Sequence, residues 1–212
     1  MLAGQRKVAS DGYEVMLFPF EYLYMSQDEG GDFSHGGTKN IDLVGWGADG
    51  RIYKCPFYAP CTCTCVAIWD PNSNNRVYTS NDLVHTPLGL MRVTFAVAHD
   101  DNPPYKIGDI VQQGALLGHT GTTGNVTGDH THFNTASGLY NGYQSHVYEG
   151  HTNWDLKQSV SVWLICYVDD TVVVRGFNHD WVKFGETPII IKKEHKFPWV
   201  LYAKKLRTKF LC

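Results

Sequence analysis

The chain has 212 residues, with 18 Lys and Arg against 21 Asp and Glu, and 43% of its residues are apolar. That composition can bury a core and excludes a disordered chain, and the length suits one domain or one domain with a small appendage, at about 100–200 residues per domain. No stretch approaches the roughly 18 uninterrupted apolar residues that a membrane-spanning helix needs.

The opening segment, MLAGQRKVASDGYEVMLFPFEYLYM, contains Arg6 and Lys7 but no clean apolar core before Asp11, and Glu14 and Glu21 interrupt the apolar residues beyond it, so no secretory signal peptide is expected. Further along, short β-branched or aromatic runs bounded by turn residues predict strands over 64–69, 91–98, 160–168, 171–175 and 188–192. Breakers separate them, as in Pro71-Asn72-Ser73-Asn74-Asn75 and Asp100-Asp101-Asn102-Pro103-Pro104. Helical periodicity is absent. The expected fold is mainly β: an antiparallel β-sheet domain with long connections.

Six cysteines (Cys55, Cys61, Cys63, Cys65, Cys166, Cys212) are too few and too clustered for a disulfide scaffold in a chain this long. Cys61-Thr-Cys63-Thr-Cys65 has the alternation of a packed strand rather than the paired spacing of a structural zinc site. A soft boundary near residue 155 divides a main domain, 1–155, from a small β-rich extension, 156–212. Within it, residues 192–212 carry +6 while the other 191 residues carry −9. Such a basic end reads either as a solvated tail or as a contact for an anionic polymer such as nucleic acid, a membrane surface or wall teichoic acid.

The ten histidines matter by placement. In His130-Thr131-His132, side chains at i and i+2 of a strand share a face, so both imidazoles can converge on one point. In Phe33-Ser34-His35-Gly36-Gly37-Thr38-Lys39-Asn40-Ile41-Asp42-Leu43, an aspartate sits between two strand-type aliphatics. Burying that carboxylate is expensive unless it is paired or binds a metal; the alternative is an aspartate facing solvent on an edge strand. Two imidazoles and one carboxylate with an open fourth position form a known catalytic zinc set.

The order His35…Asp42, then His99 ending a β-like run, then a glycine series (Gly118, Gly121, Gly124, Gly128) leading into His130-Thr-His132-Phe133, is similar to that of the lysostaphin-like, LytM-type zinc metallopeptidases. Phe57-Tyr58-Ala59-Pro60 and Val111-Gln112-Gln113-Gly114-Ala115-Leu116-Leu117-Gly118 resemble two further steps of that family, so the likeness runs from about Phe18 to Phe133. The resemblance implies a zinc groove surrounded by long loops, with His35, Asp42 and His132 as ligands of Zn2+ and His99 and His130 as non-ligating catalytic histidines. The implied activity is endopeptidase cleavage of bacterial peptidoglycan by a metal-activated water. The longer His35–Asp42 spacing and the lack of a signal peptide point toward a bacteriophage lysin, made in the host cytoplasm and reaching the wall through a holin or on the virion. Expected partners are therefore peptidoglycan peptides, with anionic wall polymers for the basic C-terminus and no nucleic acid. Two features depart from the family pattern: Thr131 lies between the histidines and Asn134 comes where an acid is usual. A non-catalytic wall-binding member of the same fold is the alternative. A cupin-type barrel needs a glutamate shortly after the HxH, which Asn134-Thr135-Ala136-Ser137 does not supply. His119 reads as a turn or groove residue, and His85, His146, His151, His179 and His195 read as surface or packing histidines.

Overall fold

The computed structural model describes residues 1–168, 173–175 and 179–185. Its elements in chain order are β1 (Glu14–Val15), β2 (Tyr22–Gln27), β3 (Ile41–Leu43), β4 (Trp46–Gly47), β5 (Gly50–Arg51), β6 (Pro56–Tyr58), β7 (Cys63–Asp70), β8 (Asn75–Ser80) and β9 (Val84–Thr86). Next come β10 (Gly89–Met91), β11 (Val93–Ala98), β12 (Ile110–Val111), β13 (Leu116–His119), β14 (Thr131–Ser137), β15 (Tyr143–Tyr148), β16 (His151–Leu156), the one-turn helix α1 (Val162–Ile165) and β17 (Val173–Arg175). Eight strands form one sheet in the order β12-β7-β8-β11-β14-β3-β2-β17. Every pairing in it is antiparallel except β17 with β2. The fold is mainly β and antiparallel. Among the described residues no helix is long and apolar enough to cross a membrane.

Alternation along the strands gives this sheet two different faces. Ile41 and Leu43 of β3, Phe95 and Val97 of β11, and Phe133 of β14 point into the main core. Cys61, Cys63 and Cys65 join them there, each fully buried, which is the packed-strand reading of that motif. Burying a side chain of this size contributes about 1.5–3 kcal/mol, so the sequence on this face is tightly constrained. The residues between them, Asp42, Ala96, His132, Asn134 and Ala136, belong to the opposite face. There Val77, Ala96, Ala136 and Leu156 make a smaller core under the β15–β16 hairpin.

The run 160–168 differs from the extended strand expected of it. Residues 162–165 form α1, with Val162 and Ile165 buried in the main core, and only single bridges involve Tyr167 and Val168. A continuous apolar run has no period of its own, so the i, i+3 pair decides only once the core is assembled. The run 91–98 is interrupted at Arg92: Met91 ends β10, which pairs with β9, whereas β11 pairs with β8 and β14. Of the run 171–175, residues 173–175 are strand β17. The run 188–192 and the basic segment 192–212 lie outside the described residues.

Candidate metal centre

Sheet register builds the site. On β14, His132 lies directly opposite Asp42 of β3 on one side and Ala98 of β11 on the other. His99 comes directly after Ala98, so three adjacent strands deliver Asp42, His132 and His99 to one end of the sheet. His35 comes from the loop before β3. That loop is closed by its own hydrogen bonds: His35 N donates to Gly31 O at 3.0 Å and Thr38 N donates to His35 O at 2.9 Å.

The three side chains His35, Asp42 and His132 meet at a near-equilateral triangle of atoms. His132 Nδ1 is 3.1 Å from Asp42 Oδ1, His35 Nε2 is 3.3 Å from the same oxygen, and His35 Nε2 is 3.3 Å from His132 Nδ1. A tetrahedral ion with nitrogen and oxygen ligands at about 2.0–2.1 Å has ligand–ligand edges of about 3.3–3.4 Å. Among the described residues this is the one group of three such ligands, and all three atoms lie within 4.8 Å of one another.

Hydrogen bonding then tests whether the triangle is only a hydrogen-bonded cluster. His35 Nδ1 lies 3.0 Å from the carbonyl oxygen of Asp28, which can only accept, so Nδ1 carries the proton and Nε2 presents a lone pair. That lone pair faces a carboxylate oxygen. Two acceptors at 3.3 Å repel unless a cation or a proton lies between them, and a divalent ion satisfies all three vertices at once. The second carboxylate oxygen is occupied separately: with the Gln27 amide nitrogen turned toward it, Gln27 donates to Asp42 Oδ2 at 3.2 Å and accepts from Ser34 N at 3.0 Å. The donor set fits a small N/O-ligated cation such as zinc.

Charge obeys the same geometry. Burial alone would raise the pKa of Asp42, but the His132 and His35 imidazoles set against it outweigh burial and hold the carboxyl well below the usual carboxylate range. Burial lowers the pKa of His132, opposed by its hydrogen bond to Asp42. The ionised Asp42 carboxylate and the lowered pKa of His132 both favour the deprotonated ligands that metal binding requires.

His99 and His130 border the triangle. Their ring centroids are 4.7 Å apart, that of His99 is 6.1 Å from that of His132, and His130 Nε2 is 3.6 Å from Asp42 Oδ1. Each has its Nδ1 committed to a backbone carbonyl: His99 to Thr123 O at 2.9 Å and His130 to Gly128 O at 2.8 Å. Each Nε2 is thus an acceptor. For His99, burial foremost and then the charge of His132 push the pKa down to about 4, against the raising effects of the Thr123 carbonyl and Asp42. Its imidazole is neutral at pH 7.

His99 itself has φ +78°, a left-handed conformation that is costly for a residue with a side chain. Hydrogen bonds hold it there: His99 N donates to Ser73 O at 2.8 Å and Thr123 N donates to His99 O at 3.1 Å. A Cβ on Gly121 would collide with that same carbonyl oxygen, which is why this position beside the HxH strand needs a glycine. On the other side, buried Asp129 accepts from Lys54 N at 3.1 Å and from the Thr120 hydroxyl, locking the approach to His130.

Of the five residues singled out from sequence, Asp42, His99, His130 and His132 line one cleft of about 860 Å3, and His35, fully buried, reaches Asp42 and His132 from behind it, so Asp42 faces the site instead of solvent. The departure at Asn134 is also explained. This residue is buried and accepts from Leu156 N at 2.9 Å, tying β14 to the end of the hairpin. Three contributors were not legible beforehand: the Asp28 carbonyl, the Gln27 amide, and the hairpin residues Glu149 and His151 on the cleft wall. The hairpin's one signal is its two-residue turn, Glu149-Gly150, both at positive φ, because the flanking runs YQSHVY and HTNWDL have no regular alternation to mark them as strands. His119 ends β13 outside the cleft lining, while His85 and His179 pair with Asp11 and Asp28. His195 lies outside the described residues.

No protein-family model matches the chain. It is 35% identical over 173 residues to morphogenesis protein 1 of Bacillus phage B103, an alignment that takes in 81% of this chain and 45% of the phage protein. The chain thus spans about half the length of that relative. Among solved structures it is similar to the antimicrobial peptidase lysostaphin from Staphylococcus simulans, at 20% identity and a TM-score of 0.43, over 60% of this chain and 50% of that one. The fold is similar to that of lysostaphin-like peptidases. Another similar structure, a zinc-containing peptidase from Vibrio cholerae, is 18% identical with a TM-score of 0.41, over 62% of this chain and 43% of that one.

Proposed function

We propose that this chain is a zinc-dependent endopeptidase that hydrolyses peptide bonds of bacterial peptidoglycan, acting as a virion-associated phage lysin. The observation that supports this most is the contact of the His35 lone pair with the Asp42 carboxylate, completed by His132. In this reading His35 Nε2, Asp42 Oδ1 and His132 Nδ1 would hold the ion beside the cleft. When bound, zinc supplies Lewis acidity toward a carbonyl and acidifies water. The remaining work belongs to His99 and His130. With both Nδ1 atoms fixed on carbonyls, each Nε2 is oriented to accept a proton from an attacking water or to return one to the leaving amine, and the positions are within reach of the same point. The similarity to a phage morphogenesis protein supports placement on the virion. The division at residue 155 and the attachment of the basic end to anionic wall polymer are part of the same proposal.

The test uses purified chain and a wall suspension. Stoichiometric zinc, clearing of the suspension, loss of clearing with a chelator and recovery on adding zinc are the expected results. His132→Ala should lose both the metal and the activity. Undiminished clearing after complete chelation contradicts the reading.

A further inference from the structure

A second, smaller cleft of about 200 Å3 adjoins the metal centre and shares His99 and His132 with it, but its chemistry is different. Its outer part is aromatic. Trp69, at the end of β7, lies flat against Tyr143 of β15, with ring centroids 4.1 Å apart and planes at 21°. Trp154 of β16 stands at 54° to Trp69 with centroids 5.4 Å apart, so the two indoles form the sides of a corner. Trp154 keeps 45% of its surface exposed although it lies beside a core that covers Leu156 almost completely. A large apolar ring left open at such a position loses burial energy it could have gained.

The rest of the lining consists of amides and hydroxyls, including Asn40, Asn75, Ser73, Thr152 and Asn153, and contains no Asp, Glu, Lys or Arg. The main cleft beside it is different, for it is bordered by Asp32 and Glu149. An uncharged, hydrogen-bonding wall set against flat rings suits a ligand that is itself uncharged, rich in hydroxyl and amide groups, and apolar on one flat face. A charged peptide side chain would find no counter-ion there. A pyranose ring carrying an acetamido group has all three properties.

The corner is rigid. The Tyr143 hydroxyl bonds to Asn75 Oδ1 at 3.1 Å, and the Asn40 amide nitrogen donates to the Trp154 carbonyl at 2.7 Å. Asn40 directly precedes β3, whose Asp42 is one of the candidate ligands. The aromatic corner is therefore fixed to the same strand as the metal centre.

We infer that the Trp69–Tyr143–Trp154 corner is a saccharide subsite, which binds an N-acetylhexosamine of the glycan strand while a peptide attached to it lies across the metal centre. The identity of the polymer rests on the peptidase reading above; the sugar chemistry rests on the corner alone. Occupancy of both clefts restricts the substrate to peptides still joined to glycan.

The experiment is calorimetric titration of the full chain with a β-1,4-linked N-acetylglucosamine tetramer, alongside hydrolysis of intact, glycan-linked wall and of a sugar-free wall peptide. Saturable binding is expected, weakened about tenfold or more by Trp154→Ala, in line with the value of an aromatic contact, and largely restored in Trp154→Phe, which keeps a flat face. Absence of saturable binding overturns the subsite, as does binding that Trp154→Ala and Trp69→Ala both leave unchanged. Sugar binding without hydrolysis of the glycan-linked wall supports the subsite and contradicts only the peptidase reading. Hydrolysis of the sugar-free peptide by a chain that binds no sugar does the reverse.

Discussion

His99 concentrates more constraint than any other residue in the site: left-handed backbone, a ring nitrogen bonded to Thr123 O, and a pKa pushed down to about 4. Two outcomes are expected at this scale. His99→Ala should reduce wall hydrolysis by about 10²–10⁴, the usual worth of a positioned acid or base, while zinc content stays at the level of the unmodified chain. Equal loss of zinc would instead make His99 part of the metal-holding set. The second outcome concerns acid stability of the metal-free chain. The unfolded His99 titrates near 6.5 and the folded one near 4, so between these values the unfolded chain binds more protons. Stability must then rise with pH through that window and fall as the solution is acidified across it, by on the order of 2–3 kcal/mol from this residue. Denaturant titrations between pH 7 and pH 4 should show this slope, and His99→Gln should flatten it; identical slopes in the two chains contradict the assignment.

At the scale of elements, the site depends on the pairing of β3, β14 and β11 and on the glycine loop lying against His99. Gly121→Ala drives a methyl group into the His99 carbonyl, so the loop must withdraw and carry with it Thr123, which holds the His99 ring, and the Gly121–His130 bridge. Hydrolysis should drop at least tenfold, with a stability loss of about 1–3 kcal/mol from overpacking; wild-type activity and stability would show that the loop has room the packing denies. Much of this was legible in the sequence. His130-Thr-His132 and Ile41-Asp42-Leu43 announce themselves because strand alternation forces each polar side chain onto the face opposite its aliphatic neighbours. The helix at Val162–Ile165 was not legible, since unbroken apolar residues satisfy strand and helix alike until Val162 and Ile165 find the core. Nor was the Asp28 carbonyl, because a backbone acceptor leaves no trace in residue identity.

On the scale of the whole molecule, one sheet separates two kinds of chemistry. Its apolar face stores the folding energy, with Phe95, Phe133 and the three alternating cysteines packed together, and its other face displays the histidines, the carboxylate and the aromatic corner. Rigidity from the first face is what lets the second hold acceptors against one another without relaxing. The metal centre is the claim on which the rest depends, and X-ray absorption at the zinc edge of the loaded chain addresses it most directly. The account predicts one zinc per chain in a four-coordinate shell of nitrogen and oxygen at about 2.0–2.2 Å, lost in Asp42→Ala. A shell containing sulfur at about 2.3 Å, which would place the ion among the cysteines, or a chain that takes up no stoichiometric zinc, would contradict it.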